Sequence, residues 1–416
     1  MGLDARELTP LLVLRVVIAA AQTRAYKKAE IVMADVAGQA VSAKTIERVT
    51  GDVGGELADR RDASPQSGRS LANTPQDAPD LAVVECDGGR IRTREPGNGP
   101  GVTKDGKGWN ETKNACLIRA QRKTFDEDPQ PEPPECFCDP KHVAKIAETE
   151  ALSVASPGDE EICVDDDDDA ETPLRLDADP QDDWRPKRLV RTVLSSMANS
   201  DEFGRQMARE AKARRFFEAE AQAFLGDGLP WNWSIQKKRF PTFTPILDFI
   251  HVLSYLFLAA KAVHEQAPDA WDQYLVWMRG SWQGEVGQVL EELTVWQDRL
   301  GPPPDDASDN DPREILRKTI QYLDNNRGRM NYPEYRRQGL PITTAWMESL
   351  VKEINWRVKG TEMFWNNPEG AEAILQVRAA ALCDDGRLKA HLQARPGSAF
   401  TRRPNSTKLT PSKNKS

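Results

Sequence analysis

Histidine and cysteine are scarce in this chain, with four and six in 416 residues. Cysteines so few and so scattered build no disulfide framework, which argues against a stapled secreted domain and fits a reducing compartment. Cys136, Cys138 and His142 lie close together but lack a second ligand pair, so their spacing does not make a zinc finger. No glycine-rich phosphate loop ending in Lys-Ser or Lys-Thr occurs, and nothing indicates ATP-driven chemistry. Long apolar runs are also missing. The most apolar helix candidate, Phe249 to Val263, is interrupted by His251 and Ser254, carries Lys261 and is too short to span a bilayer. The run from Leu11 to Gln22 has Arg15 inside it and no basic leader, so it reads as a helix and not as a signal peptide. With 39% hydrophobic and 29% charged residues and a mean hydropathy of −0.63, the expectation is a soluble, cytoplasmic protein without a membrane partner.

The chain has few surplus cations: its formal net charge is −9. That would disfavour a polyanionic partner if the charge were evenly spread. It is not. Residues 124–183 hold 21 Asp or Glu against 3 Lys or Arg, a local net of −18, which leaves +9 on everything else. The acidic stretch, with Pro-rich QPEPPE and the run 165–169, predicts a solvated, disordered insertion; a second reading makes it a nucleic-acid mimic that shields a basic groove.

Residues 1–61 predict helices. An apolar first helix, a second in KKAEIVMADVAGQ, a turn at Gly38-Gln39 and a third opening on Ser42 outline a helix-turn-helix. Lys44 and Arg48 on its last helix are candidate DNA contacts; the alternative is a small bundle that binds no DNA. Residues 62–79 read as a linker. Residues 80–380 predict an α/β domain. Leu81–Cys86 is a strand, Asp87-Gly88-Gly89 turns the chain, and Ile91–Arg94 returns it with alternating arginines, while Lys113–Ala120 is a further strand. Residues 183–221 predict a helix with a basic face. Short strands follow at Ala223–Gly226 and Ile246–Phe249, then a helical insertion over about 252–340. Residues 395–416 carry six Lys or Arg and no acid, and predict a disordered basic tail.

Three acids stand out against this background. Asp87 and Asp227 each close a short apolar run and precede glycine, while Glu348 sits within a helical pattern far downstream. Carboxylates at strand ends with one more on a late helix are what a two-metal phosphoryl-transfer site requires, which points to nucleic-acid cleavage. Each acid has a plainer reading. Asp-Gly commonly caps a hairpin, and Glu348 can pair with Lys352 on a solvated helix face. Arg357 and Lys359, two to three turns beyond Glu348, are candidate phosphate contacts or members of such a face. Trp231 and Trp233 read as core or as base-stacking rings. Asp248 and His251 share a helix face by spacing, and Asp248 is the alternative to Asp227 as second ligand.

The blocks VVECDGGRIRTRE, GWNETKNACLIRA, FLGDGLPWNWSIQKKRFP, ILDFIHVLSYLFLAAKAV and Asn331–Trp365 occur in an order that resembles the Asp-Asp-Glu transposases of bacterial insertion sequences, specifically the Kra-type family of the Mutator-like superfamily. The resemblance covers most of residues 5–380. It implies a ribonuclease-H-like mixed sheet with a helical insertion behind an N-terminal helix-turn-helix region. Asp87, Asp227 and Glu348 then match the triad that binds Mg²⁺ or Mn²⁺, and Asp248 with His251 matches a (Cys/Asp)-x-x-His signature. It also implies double-stranded DNA as partner (element ends and target), a homo-oligomer on DNA and a place at the bacterial nucleoid. Thr344-Ala345 stands where the family pattern has Ser-Gly. Relatives tend to carry further N-terminal sequence, which leaves open whether this is a truncated or decayed copy. An inactive DNA-binding relic, or a ribonuclease-H-like nuclease without strand transfer, is the alternative function.

Overall fold

The apolar run beginning at Leu81 forms β1 (Leu81–Arg92), and the other elements are ordered around it. The structure is a computed structural model that describes residues 8–63, 75–94, 108–154, 184–360 and 364–395, with the backbone alone for 149–154. β1 pairs antiparallel with β2 (Trp109–Gln121), and β2 pairs antiparallel with β3 (Lys187–Ser196). On its other side β1 runs parallel to β4 (Ala221–Gly226), which runs parallel to β5 (Thr244–Leu247). The result is an α/β protein with a mixed five-stranded sheet in the order β3-β2-β1-β4-β5.

Alternation along β1 assigns the two sheet faces. Cys86 reaches Asn232 of α6 (Pro230–Arg239), at 3.4 Å, on the side where α5 (Ser200–Ala213) and α6 pack. Glu85, one residue earlier, points to the opposite face. There α12 (Ala345–Val358) covers β1 and β2, and α13 (Pro368–Leu382) covers β3. Prolines open helices here instead of breaking them: Pro10, Pro230, Pro268, Pro312, Pro333 and Pro368 all lie in first turns, where no backbone N–H is needed.

Three N-terminal helices form as the sequence predicts: α1 (Pro10–Ala21), α2 (Tyr26–Asp35) and α3 (Ala43–Asp62). Ser42 caps α3 by accepting the N–H of Thr45 at 3.2 Å. Gly38 takes the left-handed conformation at φ 62° that ends the turn after α2. These helices dock on the C-terminal ones. α3 lies so close to α13 that a Cβ on Gly54 would sit 2.2 Å from the carbonyl oxygen of Ala373, and Arg61 pairs with Glu372 at 2.6 Å. Glu56 meets His391 of α14 (Arg387–Ala394) and Arg395 just after it.

Between β5 and α12 the chain is helical: α7 (Phe249–Val263), α8 (Ala267–Trp282), α9 (Val286–Leu300), α10 (Pro312–Asn326) and α11 (Tyr332–Arg337). Among the described residues no helix is long and apolar enough to cross a membrane.

Three sequence expectations are corrected. Asp87-Gly88-Gly89 makes no turn, because β1 stays paired with β2 through it. Gly89 instead admits a close cross-strand approach, since a Cβ there would lie 2.8 Å from Thr112 Oγ1. Residues 183–221 are not one helix but contain β3 and α5, β3 being an edge strand whose exposed start is lysine and arginine. The first part of the acidic stretch is folded: Phe137 is buried against Phe249 and Trp282, Asp128 accepts from buried Arg336 at 2.8 Å, and α4 (Pro140–Val154) packs on α7. The acidic run 165–169, most of the linker and nearly all of the basic tail lie outside the described residues.

Candidate active site

Two parallel strands end side by side at the sheet's carboxyl edge. β1 and β4 pair in register up to Glu85↔Leu225. Two residues further along stand Asp87, still within β1, and Asp227, one residue beyond the end of β4. The edge where parallel strands finish is also where α/β sheets place their ligands.

Asp227 is held from several sides. Its Oδ1 accepts the N–H of Leu229 at 2.9 Å and the amide of buried Asn232, which in turn accepts from Cys86 of β1. Its backbone carbonyl accepts the Tyr322 hydroxyl at 2.7 Å. Tyr322, from α10, stacks on Tyr255 of α7 with ring centroids 3.9 Å apart. Gly228 has φ 101°, and a Cβ there would meet the Tyr322 ring at 2.5 Å. The helical region between β5 and α12 thus braces the loop that carries the second acid. Asp87 is half-buried and its Oδ1 accepts the N–H of Gly88 at 2.6 Å.

Glu348 lies in the first turn of α12, the helix packed on β1. Its N–H donates to Thr344 O at 3.0 Å. Thr344 is fixed by Asp248: Oδ1 accepts the Thr344 N–H at 3.1 Å and Oδ2 accepts its hydroxyl at 2.9 Å. Asp248 also caps α7 through the N–H of Ile250 at 3.2 Å and accepts from His251 Nδ1 at 2.7 Å. Its own N–H donates to Gly226 O, the last residue of β4, at 3.0 Å. Asp248 therefore ties the strand end before Asp227 to the helix start before Glu348. It has 0% exposure, and both its oxygens are taken by protein donors.

A fourth acid went unnoticed in the sequence. Glu85 is fully buried, two residues before Asp87 and on the same face of β1. Burial pushes its carboxyl well above the usual range, the negative charges of Asp248 and Glu348 add to this, and the nearby Met347 N–H opposes it. That N–H already donates to Thr344 O at 2.8 Å, and neither Glu85 oxygen makes a hydrogen bond of ordinary geometry. A glutamate inside LAVVEC, an otherwise apolar strand, was the available signal.

The structure brings Asp87, Asp227 and the helix of Glu348 to one edge, with Asp248 and His251 behind it. Among the described residues, no three His, Cys, Asp or Glu side chains are arranged to grip a metal ion. The cation candidates separate. Lys44 and Arg48 are exposed on α3, Lys44 paired with Glu47 at 2.7 Å. Lys359 is half-buried, 5.6 Å from the centroid of Trp109. Arg357 is not a phosphate contact: it is 1% exposed and donates to Ala20 O at 2.7 Å and to Arg24 O at 3.2 Å. Trp233 is core, donating to Asn326 Oδ1 at 2.9 Å, while Trp231 is half-buried. A scan against protein-family models gives no match for this chain, and no curated protein matches it.

Proposed function

We propose that this chain is a DDE-type DNA transposase with a ribonuclease-H-like core, acting at its element's ends and on target DNA. The observation that carries this reading is the parallel pairing of β1 with β4 up to Glu85↔Leu225, two residues before Asp87 and Asp227, with Glu348 on a helix laid against β1. The β3-β2-β1-β4-β5 order, antiparallel on one side of β1 and parallel on the other, is the sheet expected of such a core. The helical region before α12 supports it in the same way.

Asp87, Asp227 and Glu348 would hold Mg²⁺ or Mn²⁺, since an all-carboxylate oxygen set suits hard divalent cations and not zinc. Such a cation, when bound, lowers the pKa of attacking water and offsets charge on the entering and leaving phosphate oxygens. The protein's own part is to hold the segments that carry the three acids at one edge; the side chains themselves do not converge on a cation position in this structure and would have to do so when one binds. Asn232 and Tyr322 hold the Asp227 loop, Asp248 and Thr344 set the start of the Glu348 helix, and His251 steadies Asp248. The reaction is hydrolysis of one phosphodiester at an element end, followed by in-line attack of the freed 3′-hydroxyl on target DNA. Synapsis of two ends calls for at least a dimer on DNA, in the cytoplasm at the nucleoid.

The test is cleavage and joining of end-bearing duplex DNA by the purified chain with Mg²⁺ or Mn²⁺. Wild type cuts and joins, whereas Asp87→Ala, Asp227→Ala and Glu348→Ala each abolish cutting and still bind DNA. Cutting without joining would make the chain a nuclease. Binding without cutting by the wild type would make it a relic.

A further inference from the structure

β1 and β2 outrun their neighbours. β4 pairs with β1 only as far as Glu85, and β3 pairs with β2 only from Lys113 onward. Yet β1 and β2 remain paired to Arg92↔Trp109. Residues 88–92 and 109–112 therefore form a two-stranded ribbon that continues past the carboxylate edge, and at its far end Trp365 bridges to Thr93, donating to Arg92 O at 2.8 Å and accepting from Arg94 N–H at 2.7 Å.

One face of this ribbon is cationic. Alternation and register put Arg90, Arg92, Trp109 and Lys113 on the same side, that of Cys86 and α6. The Arg92 guanidinium lies 4.5 Å from the Trp109 centroid, and Lys359 comes from the end of α12 to 5.6 Å from the same ring. Lys113 lies 5.7 Å from the Trp231 centroid, beside the Asp227 loop. Segments 88–94 and 108–114 hold Arg90, Arg92, Arg94 and Lys113 against one acid, Glu111. Glu111 stands across from Arg90 in register but its ion pair is with Lys113, at 3.0 Å. Arg90 makes no ion pair among the described residues.

We infer that this ribbon face is a DNA-backbone arm that leads duplex DNA into the carboxylate edge, with Arg90 and Arg92 on its phosphates. The inference rests on the transposase reading for the identity of the partner. Planar guanidinium groups match phosphate oxygens in a fork, and indole rings hold the cations extended where a phosphate can meet them. The spacing is also suitable. Arg92 is five residues beyond Asp87, about 17 Å along an extended strand, and the odd separation puts it on the α6 side of the sheet, that of the Asn232 contact to Asp227, so the DNA would cross the edge to reach Asp87. At about 3.4 Å of rise per nucleotide, that is roughly five nucleotides from the scissile bond. Helix α3, with Lys44 and Arg48, is the competing contact surface.

The experiment measures binding of the full chain to a labelled duplex in EDTA across a sodium chloride series, so that cleavage plays no part. Removing two phosphate contacts in Arg90→Ala/Arg92→Ala lowers the slope of log affinity against log salt by about 1.8, and weakens binding at least about tenfold at 0.15 M salt for unrelated sequences alike. Arg90→Gln alone removes one contact and about 0.9 of slope, and serves if the double variant melts early. Unchanged slope and affinity in folded variants overturns the inference, as does a loss confined to Lys44→Ala/Arg48→Ala. The two proposals fail separately: a wild type that never cuts DNA but loses slope in the ribbon variants keeps the arm and loses the transposase. One that cuts DNA with ribbon variants of normal slope does the reverse.

Discussion

Asp248 accepts both the N–H and the hydroxyl of Thr344, at 3.1 and 2.9 Å, so the turn that opens α12 is fastened to the turn that opens α7. The two residues are 96 positions apart. Because Asp248 also donates to the last carbonyl of β4, this contact sets where Glu348 stands relative to Asp227.

Removing the hydroxyl by Thr344→Val keeps the side chain's shape and leaves Asp248 Oδ2 with His251 alone. The expected cost is about 1–2 kcal/mol, the range for a buried hydrogen bond to a charged group. Asp248→Ala strands three buried donors at once and should cost about 3 kcal/mol or more. The double variant should fall short of the sum by about 1 kcal/mol or more, because the two side chains share one bond. Urea midpoints of the four proteins check this, and strict additivity would remove the tether. Thr344→Ser restores the bond and should recover most of the loss.

Arg357 tests the docking of the N-terminal helices. Its guanidinium donates to Ala20 O and Arg24 O and lies over Tyr26 and Trp365, at 4.9 and 5.3 Å from the ring centroids. Burial pulls its pKa down against the favourable influence of Tyr26. Arg357→Ala leaves two carbonyls without their donor and should cost about 3 kcal/mol. Lysine cannot span the same two acceptors and both rings, so Arg357→Lys should still cost about 2 kcal/mol. DNA affinity of either folded variant should match wild type. A specific loss of binding at full stability would return Arg357 to the surface role that its charge suggests.

Arg357 also shows what the sequence conveys and what it withholds. An arginine late on an amphipathic helix looks solvated, and only the arrival of α1 from more than 300 residues away makes it interior. The strands that lead to Asp87 and Asp227 were legible because each is a short apolar run, a signal carried within six residues. The helix that carries Glu348 was legible from the helical spacing of Leu350, Ile354 and Val358, all buried. β3 was hidden because Arg191, which reads as polar, is buried and paired with Glu353 at 3.0 Å. The basic face expected over 183–221 is likewise spent in part inside the protein: Arg214 pairs with Glu210 and Asp385 at 2.8 and 2.7 Å. Double glycine after Asp87 signals a turn locally, yet cross-strand crowding at Thr112 claims one of those glycines. In each case a partner distant in sequence overrides the local pattern.

Glu56 joins α3 to α14 and should make that contact acid-sensitive. Burial alone would raise its carboxyl, but hydrogen bonds and charge from His391 and Arg395 outweigh this and hold it at about 2. A depressed folded value means the stabilisation is complete above the unfolded value of about 4.3 and fades as pH falls toward 2. With its side chain 37% exposed, solvent screening reduces the contribution to about 1 kcal/mol. Wild type should therefore exceed Glu56→Gln in melting midpoint at pH 6, and the gap should narrow steadily as pH falls from about 4.5 toward 2. A gap of unchanged size across that range would assign the difference to packing.

Glu85 should have the opposite pH signature. Its carboxyl is raised well above the usual range in the folded protein, first by burial and then by Asp248 and Glu348. A raised acid keeps its proton in the fold and releases it on unfolding, so stability falls as pH rises above about 4.3 until the folded value is reached. Glutamine carries no such proton. Whatever fixed cost Glu85→Gln brings, its stability relative to wild type should climb by about 1.4 kcal/mol per pH unit across that window. Urea unfolding of both proteins at pH 5, 6, 7 and 8, with EDTA present, measures the difference. A constant offset across the series would mean that Glu85 is ionised in the fold, with a cationic partner that its buried position on β1 does not supply.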